Sequence, residues 1–361
     1  MRAWLLRYKK ETIWLLAGAA FLTAYFLLRR SRVLMNLLAR YVTTPLKWAM
    51  AHLCSVTELS VAEVIYMTLI AVVIFYVASV LRAFFTRGSR KGEILCRFAL
   101  TVACVAITVY GGFCLLWGVN YHTDSFQDRS GIVARQGTAS ELRELTERFA
   151  SALDRVSDDV PRGEDGEFSA DRRDILRRAP AVMANAFETF PCLRWDDVTP
   201  KAFVSSRAMT AMDFTGFYFP FTGEANLNMD CPAAFLPATA IHEMAHQRQI
   251  ASEQECNFVA IAVSCLSDDP VYRYSGLLMG YTHLSNALYG ADRDAYREIA
   301  SGLPDGAVAD LRANYRYWEA NHTGFTDATQ KVYDSFIKAN GDPNGVKSYG
   351  MVVDMLLAYY G

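Results

Sequence analysis

The sequence predicts an α+β protein in two parts: three membrane-spanning helices at the N-terminus, then a mostly helical domain with a small β-sheet. Two observations lead to this fold class. Three long apolar stretches lie in the first third of the chain, and helical periodicity dominates the rest apart from one short extended region. The 361 residues suffice for two domains, which we place at residues 1–121 and 122–361.

The three apolar stretches are Ile13 to Leu28, Val64 to Leu81 and Phe98 to Val119, and none of them contains a charged side chain. Because roughly 20 apolar residues cross the hydrocarbon core of a bilayer, these stretches are typical of transmembrane helices. A signal peptide is the alternative interpretation of the first stretch. Arg29 and Arg30 argue against that alternative, since they follow the stretch where a cleavage site requires small residues.

Charge is divided unevenly between the two parts. Residues 1–121 hold 14 Lys+Arg and 4 Asp+Glu, whereas residues 122–361 hold 22 and 34, a net charge of −12 that disfavours nucleic acid as a partner. The densest basic cluster, residues 82–97, separates the second and third apolar stretches. If this cluster and the N-terminus are cytoplasmic, the second domain is extracytoplasmic. We therefore expect a multi-pass protein of the cell membrane, with the lipid bilayer as one partner.

The second domain contains a regular pattern of helices around the extended region. Periodicity predicts helices over residues 138–155 and 174–190, and extended chain over residues 198–206 and 215–228. From Cys265 to the end the pattern is helical, with breaks near residues 268–270, 302–304 and 341–343, where Gly, Asp and Pro cluster.

The most informative motif is His242-Glu243-Met244-Ala245-His246, an HExxH sequence that follows an uncharged run and so indicates a buried helix. Histidines four positions apart lie one turn apart on the same helix face. This is the spacing by which the metallopeptidases called zincins hold Zn²⁺. The alternative for the motif alone is a structural or surface pair of histidines.

A second helix is predicted from Ser252, which fits an N-cap with Glu255 as its capping-box partner. Glu253 and Asn257 share one face of this helix, so that the carboxylate can bind zinc while the amide holds a liganding imidazole. Glu253 is the predicted third ligand, although rotation of the helix would exchange it with Glu255. Cys256 is expected to be a small buried residue.

A zinc ion on His242, His246 and Glu253 leaves its fourth position for a water molecule, whose pKa falls to about 7. Glu243 is then placed to take the proton of this water as general base and to pass it to the leaving amine as general acid. The predicted reaction is hydrolysis of an amide or peptide bond.

Two further parts of a peptidase have candidates in the sequence. Residues 223–228 are the candidate for an edge strand that holds an extended peptide, with a simple hairpin at Thr222 and Gly223 as the alternative. A peptidase also needs a hydrogen-bond donor that stabilises the tetrahedral intermediate. Tyr349 is the preferred residue because it follows a Gly/Pro-rich turn; Tyr281, His283 and His322 are the alternatives, and any of these aromatic residues also suits a hydrophobic core.

Several of these motifs together resemble the bacterial domain-of-unknown-function 3810 family. They are the three N-terminal apolar stretches, LWGVNY at 116–121, FPFTGEAN at 219–226, HEMAHQR at 242–248, EQECN at 253–257 and VKSYG at 346–350. The resemblance implies a membrane-anchored, gluzincin-like zinc metallopeptidase that uses His242, Glu243, His246 and one of the pair Glu253 and Glu255. The chain departs from the family pattern at position 249, where Gln replaces the usual Gly of a turn, and at position 256, where Cys replaces Ala.

Two functions from different classes follow. The first is a membrane-anchored zinc metallopeptidase acting on a peptide or protein substrate at the membrane surface. The alternative is a catalytically silent envelope protein whose zincin-like domain binds a partner or peptide. The complete ligand set and Glu243 favour the enzyme, because a structural zinc site has no use for a base beside an open position.

Overall fold

The computed structural model describes residues 7–86, 90–340 and 349–361. Within these residues the protein is mostly helical, with one three-stranded β-sheet, as the sequence predicts. The chain divides into two units. One holds the described residues of Met1–Lys47, Val61–Thr123 and Pro220–Thr222, and the other holds those of Trp48–Ser60, Asp124–Phe219 and Gly223–Gly361.

The first unit is built from helices that are long and apolar enough to cross a membrane. These three are α1 (Lys9–Leu28), α4 (Val61–Thr86) and α5 (Lys91–Leu116). They begin earlier than the apolar stretches do, because charged residues at the stretch ends continue the helix. The third ends before Val119, since a short 3₁₀ turn occupies Gly118–His122. Two shorter helices, α2 (Arg32–Leu38) and α3 (Thr44–Cys54), are joined by a π-helical turn at Ala39–Thr43, and the residues of α3 from Trp48 onward belong to the second unit.

The second unit contains most of the helices around one hydrophobic core. They are α6 (Phe126–Ser130), α7 (Ala139–Val156), α8 (Arg172–Asn185), α9 (Ser206–Ala211), α10 (Leu236–Gln247), α11 (Glu253–Leu266), α12 (Pro270–Ala291), α13 (Arg293–Ser301), α14 (Asp305–Asn321), α15 (Gly324–Asn340) and α16 (Tyr349–Tyr360).

Helix starts in this unit follow from side-chain caps. Thr138 accepts a hydrogen bond from the backbone N–H of Glu141, whose carboxylate accepts one from Thr138 in return, a full capping box at the start of α7. Asp171 caps α8 three residues before the predicted start at residue 174, and α8 ends at Asn185, where the chain turns. Asp269 caps α12 after the predicted break.

The sheet is formed by β1 (Lys201–Phe203), β2 (Gly216–Phe219) and β3 (Glu224–Asn228) in the order β1-β3-β2. β2 and β3 form an antiparallel hairpin, and β1 pairs with β3 in parallel. The prediction of residues 223–228 as an edge strand is therefore wrong, because both sides of β3 are paired. The hairpin alternative is confirmed, and Gly223 takes the left-handed conformation at its turn (φ 72°).

A buried lysine joins the sheet to the segment that precedes α4. The ammonium group of Lys201 lies 2.7 Å from a carboxylate oxygen of Glu224 and donates to the carbonyl oxygens of Cys54 (2.6 Å) and Leu59 (2.9 Å). Both charged side chains are almost fully buried. A buried ammonium is stable only when all three of its donors are satisfied, so this segment is an integral part of the second unit.

Candidate metal centre

The HExxH motif lies on α10, which packs against β3 and α11. Pro237 stands in the first turn of α10, where its missing N–H has no helical partner to lose. Nearly all of the helix is buried, which gives His242 and His246 a rigid support. Their imidazole rings lie 5.0 Å apart between centroids, on one face of the helix.

The chain reverses between α10 and α11 through a left-handed residue. Gln249 has φ 66°, a conformation that glycine adopts at little cost and other residues adopt rarely. This is the position at which the resemblance leads one to expect glycine. The turn therefore keeps the backbone form of a glycine turn with a glutamine in it, and it returns α11 alongside α10.

The reversal brings the carboxylate of Glu253 to both histidines. Its Oε2 lies 3.1 Å from Nε2 of His242, and its Oε1 lies 3.7 Å from Nε2 of His246. Burial disfavours the ionised carboxylate, but the two imidazoles outweigh burial and hold the pKa of Glu253 well below its usual range. The ionised carboxylate of Glu253 thus faces one ring nitrogen of each histidine.

The other nitrogen of each imidazole is occupied by a hydrogen bond within the protein. Nδ1 of His246 donates to the carbonyl oxygen of Ile250 at 2.8 Å, so its Nε2 is the nitrogen that faces the Glu253 carboxylate. Nδ1 of His242 lies 2.8 Å from Oδ1 of Asn257, the contact predicted from the spacing of Asn257 and Glu253. Such bonds fix the ring orientation and the tautomer that a metal requires.

Cys256 forms an alternative set of metal ligands with the two histidines. Ligand atoms of His242, His246 and Cys256 all lie within 4.8 Å of one another, which is compatible with a metal site. The Cys256 sulfur, however, lies 3.3 Å from Nδ1 of His246 and 3.5 Å from the carbonyl oxygen of Ile250. Burial, together with nearby carboxylates, raises the pKa of this thiol well above its usual value.

Glu255 points away from the histidines. Its carboxylate accepts hydrogen bonds from the backbone N–H groups of Phe126 (2.9 Å) and Gln127 (3.2 Å), at the start of α6. Ser252 caps α11 as predicted, accepting from the backbone N–H of Glu255. The predicted reciprocal bond of a capping box is replaced by these contacts to α6, so the carboxylate has a structural role there.

Glu243 is buried next to His242 and has one oxygen, Oε2, without a hydrogen-bond partner among the described residues. Burial raises the pKa of Glu243 to about 8, and the charge of Glu253 adds to the effect, whereas His242 opposes it. Its side chain contacts β2 at Gly216, where a Cβ atom would lie 2.6 Å from Oε1 of Glu243. A side chain at this point of the strand would therefore displace the Glu243 carboxylate.

The candidates for the hydrogen-bond donor to the tetrahedral intermediate have different positions in the structure. The side chain of Tyr349, the preferred candidate, lies outside the described residues, although its backbone begins α16. Tyr281 is a core residue, and His322 is exposed. Burial and the neighbouring His242 lower the pKa of His283 to about 4.

The structure adds a residue that the sequence did not single out. The hydroxyl group of Tyr333, on α15, donates to Oε1 of Glu253 at 2.9 Å. Its ring packs edge-on against Phe214, with centroids 5.2 Å apart. Tyr333 follows Glu253 by 80 positions and belongs to no recognisable motif, so only tertiary structure relates the two residues.

Arg248 lies directly after α10 and is held by contacts from every nitrogen of its guanidinium group. Nη2 donates to both carboxylate oxygens of Asp197 (2.5 and 2.6 Å) in a buried ion pair, while Nη1 and Nε donate to the carbonyl oxygens of Met244 and Leu193. Arg248 thereby ties the last turn of the HExxH helix to the chain before β1.

A family model described as Protein of unknown function (DUF3810) matches residues 40–357, most of the chain. No curated protein and no solved structure matches the chain.

Proposed function

The chain belongs to the DUF3810 family, and from the geometry of its histidine site we propose that it is a membrane-anchored, zinc-dependent metallopeptidase with a zincin-like active site. The single observation that carries the proposal is the convergence of both Nε2 atoms on the Glu253 carboxylate, beside a buried Glu243 with an unsatisfied oxygen. The described part of the chain thus supplies a ligand set and a base together.

The metal ligands in this proposal are His242, His246 and Glu253. Two neutral imidazoles and one carboxylate are a donor set that zinc favours in catalytic sites. Cys256 fits less well as a ligand because its sulfur lies at the Nδ1 side of His246, which already donates to Ile250. A buried, protonated thiol there supports the turn that precedes α11.

The reaction proposed is hydrolysis of a peptide bond. Zinc, when bound, supplies Lewis acidity that lowers the pKa of water and polarises a carbonyl oxygen. Glu243 takes up the proton of the attacking water at its unsatisfied oxygen and delivers it to the leaving amine. Gly216 leaves room for this carboxylate to remain beside β2.

The substrate proposed is a peptide or protein at the membrane surface. Three helices of sufficient length and apolarity to span a bilayer support anchoring in the cell membrane. The basic residues between the second and third of these helices support a cytoplasmic location for that connection, and we propose that the second unit lies outside the cytoplasm.

The test uses the full chain in detergent micelles, since Lys201 binds carbonyl groups of the segment before α4 and a fragment starting at residue 122 would leave that lysine unsatisfied. The zinc-loaded protein is incubated with a peptide library, and cleavage is followed by mass spectrometry. We expect cleavage by the wild type and at least about a 100-fold loss in Glu243→Gln, the low end of what a general base contributes.

Folded, zinc-loaded wild-type protein that cleaves no peptide, or a Glu243→Gln variant as active as the wild type, would contradict the proposal. In the first case, retained binding of library peptides would favour the catalytically silent envelope protein instead.

A further inference from the structure

We infer that Tyr333 is a positioning residue that orients the Glu253 carboxylate for metal binding. The inference rests on the proposed function and deepens it, since it names a residue outside the HExxH region that the metal site needs.

The two oxygens of Glu253 have different surroundings. Oε2 faces Nε2 of His242 at 3.1 Å, whereas Oε1 accepts from the hydroxyl group of Tyr333 at 2.9 Å and lies 3.7 Å from Nε2 of His246. The Glu253 side chain keeps 22% of its exposure, so it is not held by close packing on every side. A directional hydrogen bond therefore decides how the carboxylate is turned.

The hydroxyl group of Tyr333 is itself held in place. Helix α15 attaches to the segment before β2 through Thr326, which donates to the carbonyl oxygen of Ala211 at 3.2 Å. Gln330, one turn before Tyr333, donates to the carbonyl oxygen of Met212 at 3.4 Å. With the edge-on contact of Tyr333 and Phe214, these bonds fix the phenol ring over the carboxylate.

A carboxylate that binds a metal gains affinity when a neighbouring donor fixes its orientation, and loss of such a donor typically weakens binding 10- to 100-fold. A tyrosine suits this role because it donates one hydrogen bond without adding a positive charge that would repel the metal. The role is distinct from donation to substrate, since the hydroxyl group contacts Glu253 directly.

The experiment measures the Zn²⁺ affinity of the full-length protein by competition with a chromophoric chelator. The variants are Tyr333→Phe, Glu253→Ala and the two changes combined. Tyr315→Phe is the matched control, because Tyr315 also donates to a carboxylate, that of Glu319, but lies exposed on α14. Thermal midpoints without metal and the visible absorption of the Co²⁺-loaded proteins are recorded alongside.

We expect Tyr333→Phe to weaken Zn²⁺ binding about 10-fold, to change the Co²⁺ spectrum, and to melt within about 2 °C of the control without metal. In the Glu253→Ala background, the second change should cost nothing further. Unchanged affinity in Tyr333→Phe, or an equal loss in the Glu253→Ala background, would overturn the positioning role alone. A folded wild type that binds no Zn²⁺ would overturn the proposed function itself.

Discussion

Replacing Gln249 by glycine should stabilise this protein. Gln249 holds φ at 66°, where a residue with a Cβ atom pays about 1–2 kcal/mol relative to a right-handed conformation. Glycine escapes this cost but loses about 0.5–1 kcal/mol through its greater freedom in the unfolded chain. The difference favours Gln249→Gly by about 0.5–1 kcal/mol, or a thermal midpoint about 2 °C higher for a unit of this size.

The assay is thermal unfolding of the full chain in one detergent at a fixed heating rate. Gln249→Ala is the matched control, because it removes the side chain but retains the Cβ atom, and its midpoint should not rise. Asp213→Gly tests the second left-handed position that a non-glycine residue occupies in the described part of the chain, φ 64°, where a smaller gain is expected since aspartate tolerates this conformation better than glutamine. A Gln249→Gly midpoint at or below that of Gln249→Ala would show that the left-handed conformation of residue 249 does not lower stability.

Three further predictions follow from the second unit. Lys201→Met should destabilise it by about 3–5 kcal/mol in denaturant titrations, because Glu224 becomes a buried charge without its ammonium partner; a loss below 1 kcal/mol would show that the pair is not buried in solution. Glu255→Gln should lower stability by about 1–3 kcal/mol through weaker bonds to the N–H groups of α6, yet leave metal content unchanged in elemental analysis; loss of metal would mean that Glu255 is a ligand. Gly216→Val should lower kcat at least about 10-fold with metal content unchanged, because its side chain displaces Glu243; wild-type kcat would contradict the close contact of β2 with the base.

The helical part of the fold could be predicted because its signals are local. Apolar length predicted the three long helices, periodicity predicted α7, and the capping residue Ser252 marked the start of α11. The predicted positions of the helix ends were less accurate, because a charged residue that ends an apolar stretch does not end the helix. The error at β3 has a different origin. Its second neighbour, β1, lies more than 20 residues earlier, and alternation within a strand says nothing about which strands pair with it.

The candidate metal site likewise has a part that the sequence predicts and a part that it does not. His242, His246, Glu253 and Asn257 lie within 16 consecutive residues, so helix geometry alone places them together. Residues two apart on a helix differ by about 200° in direction, which separates Glu253 from Glu255, but only the structure shows which of them faces the histidines.

The site residues that lie far from the HExxH motif in the sequence could not be predicted from helix geometry. Gly216 and Tyr333 reach the site from β2 and α15, and neither belongs to a motif in the sequence. The preferred donor to the intermediate, Tyr349, stays a prediction because its side chain lies outside the described residues.

We propose that His242, His246 and Glu253 hold zinc. Elemental analysis of the purified full-length protein tests this ligand set, with Glu253→Gln and Cys256→Ser measured beside the wild type after the same brief exposure to a chelator. We expect one zinc per chain in the wild type and in Cys256→Ser, and its loss in Glu253→Gln. A folded wild type without zinc, or zinc that is lost in Cys256→Ser but retained in Glu253→Gln, would contradict it.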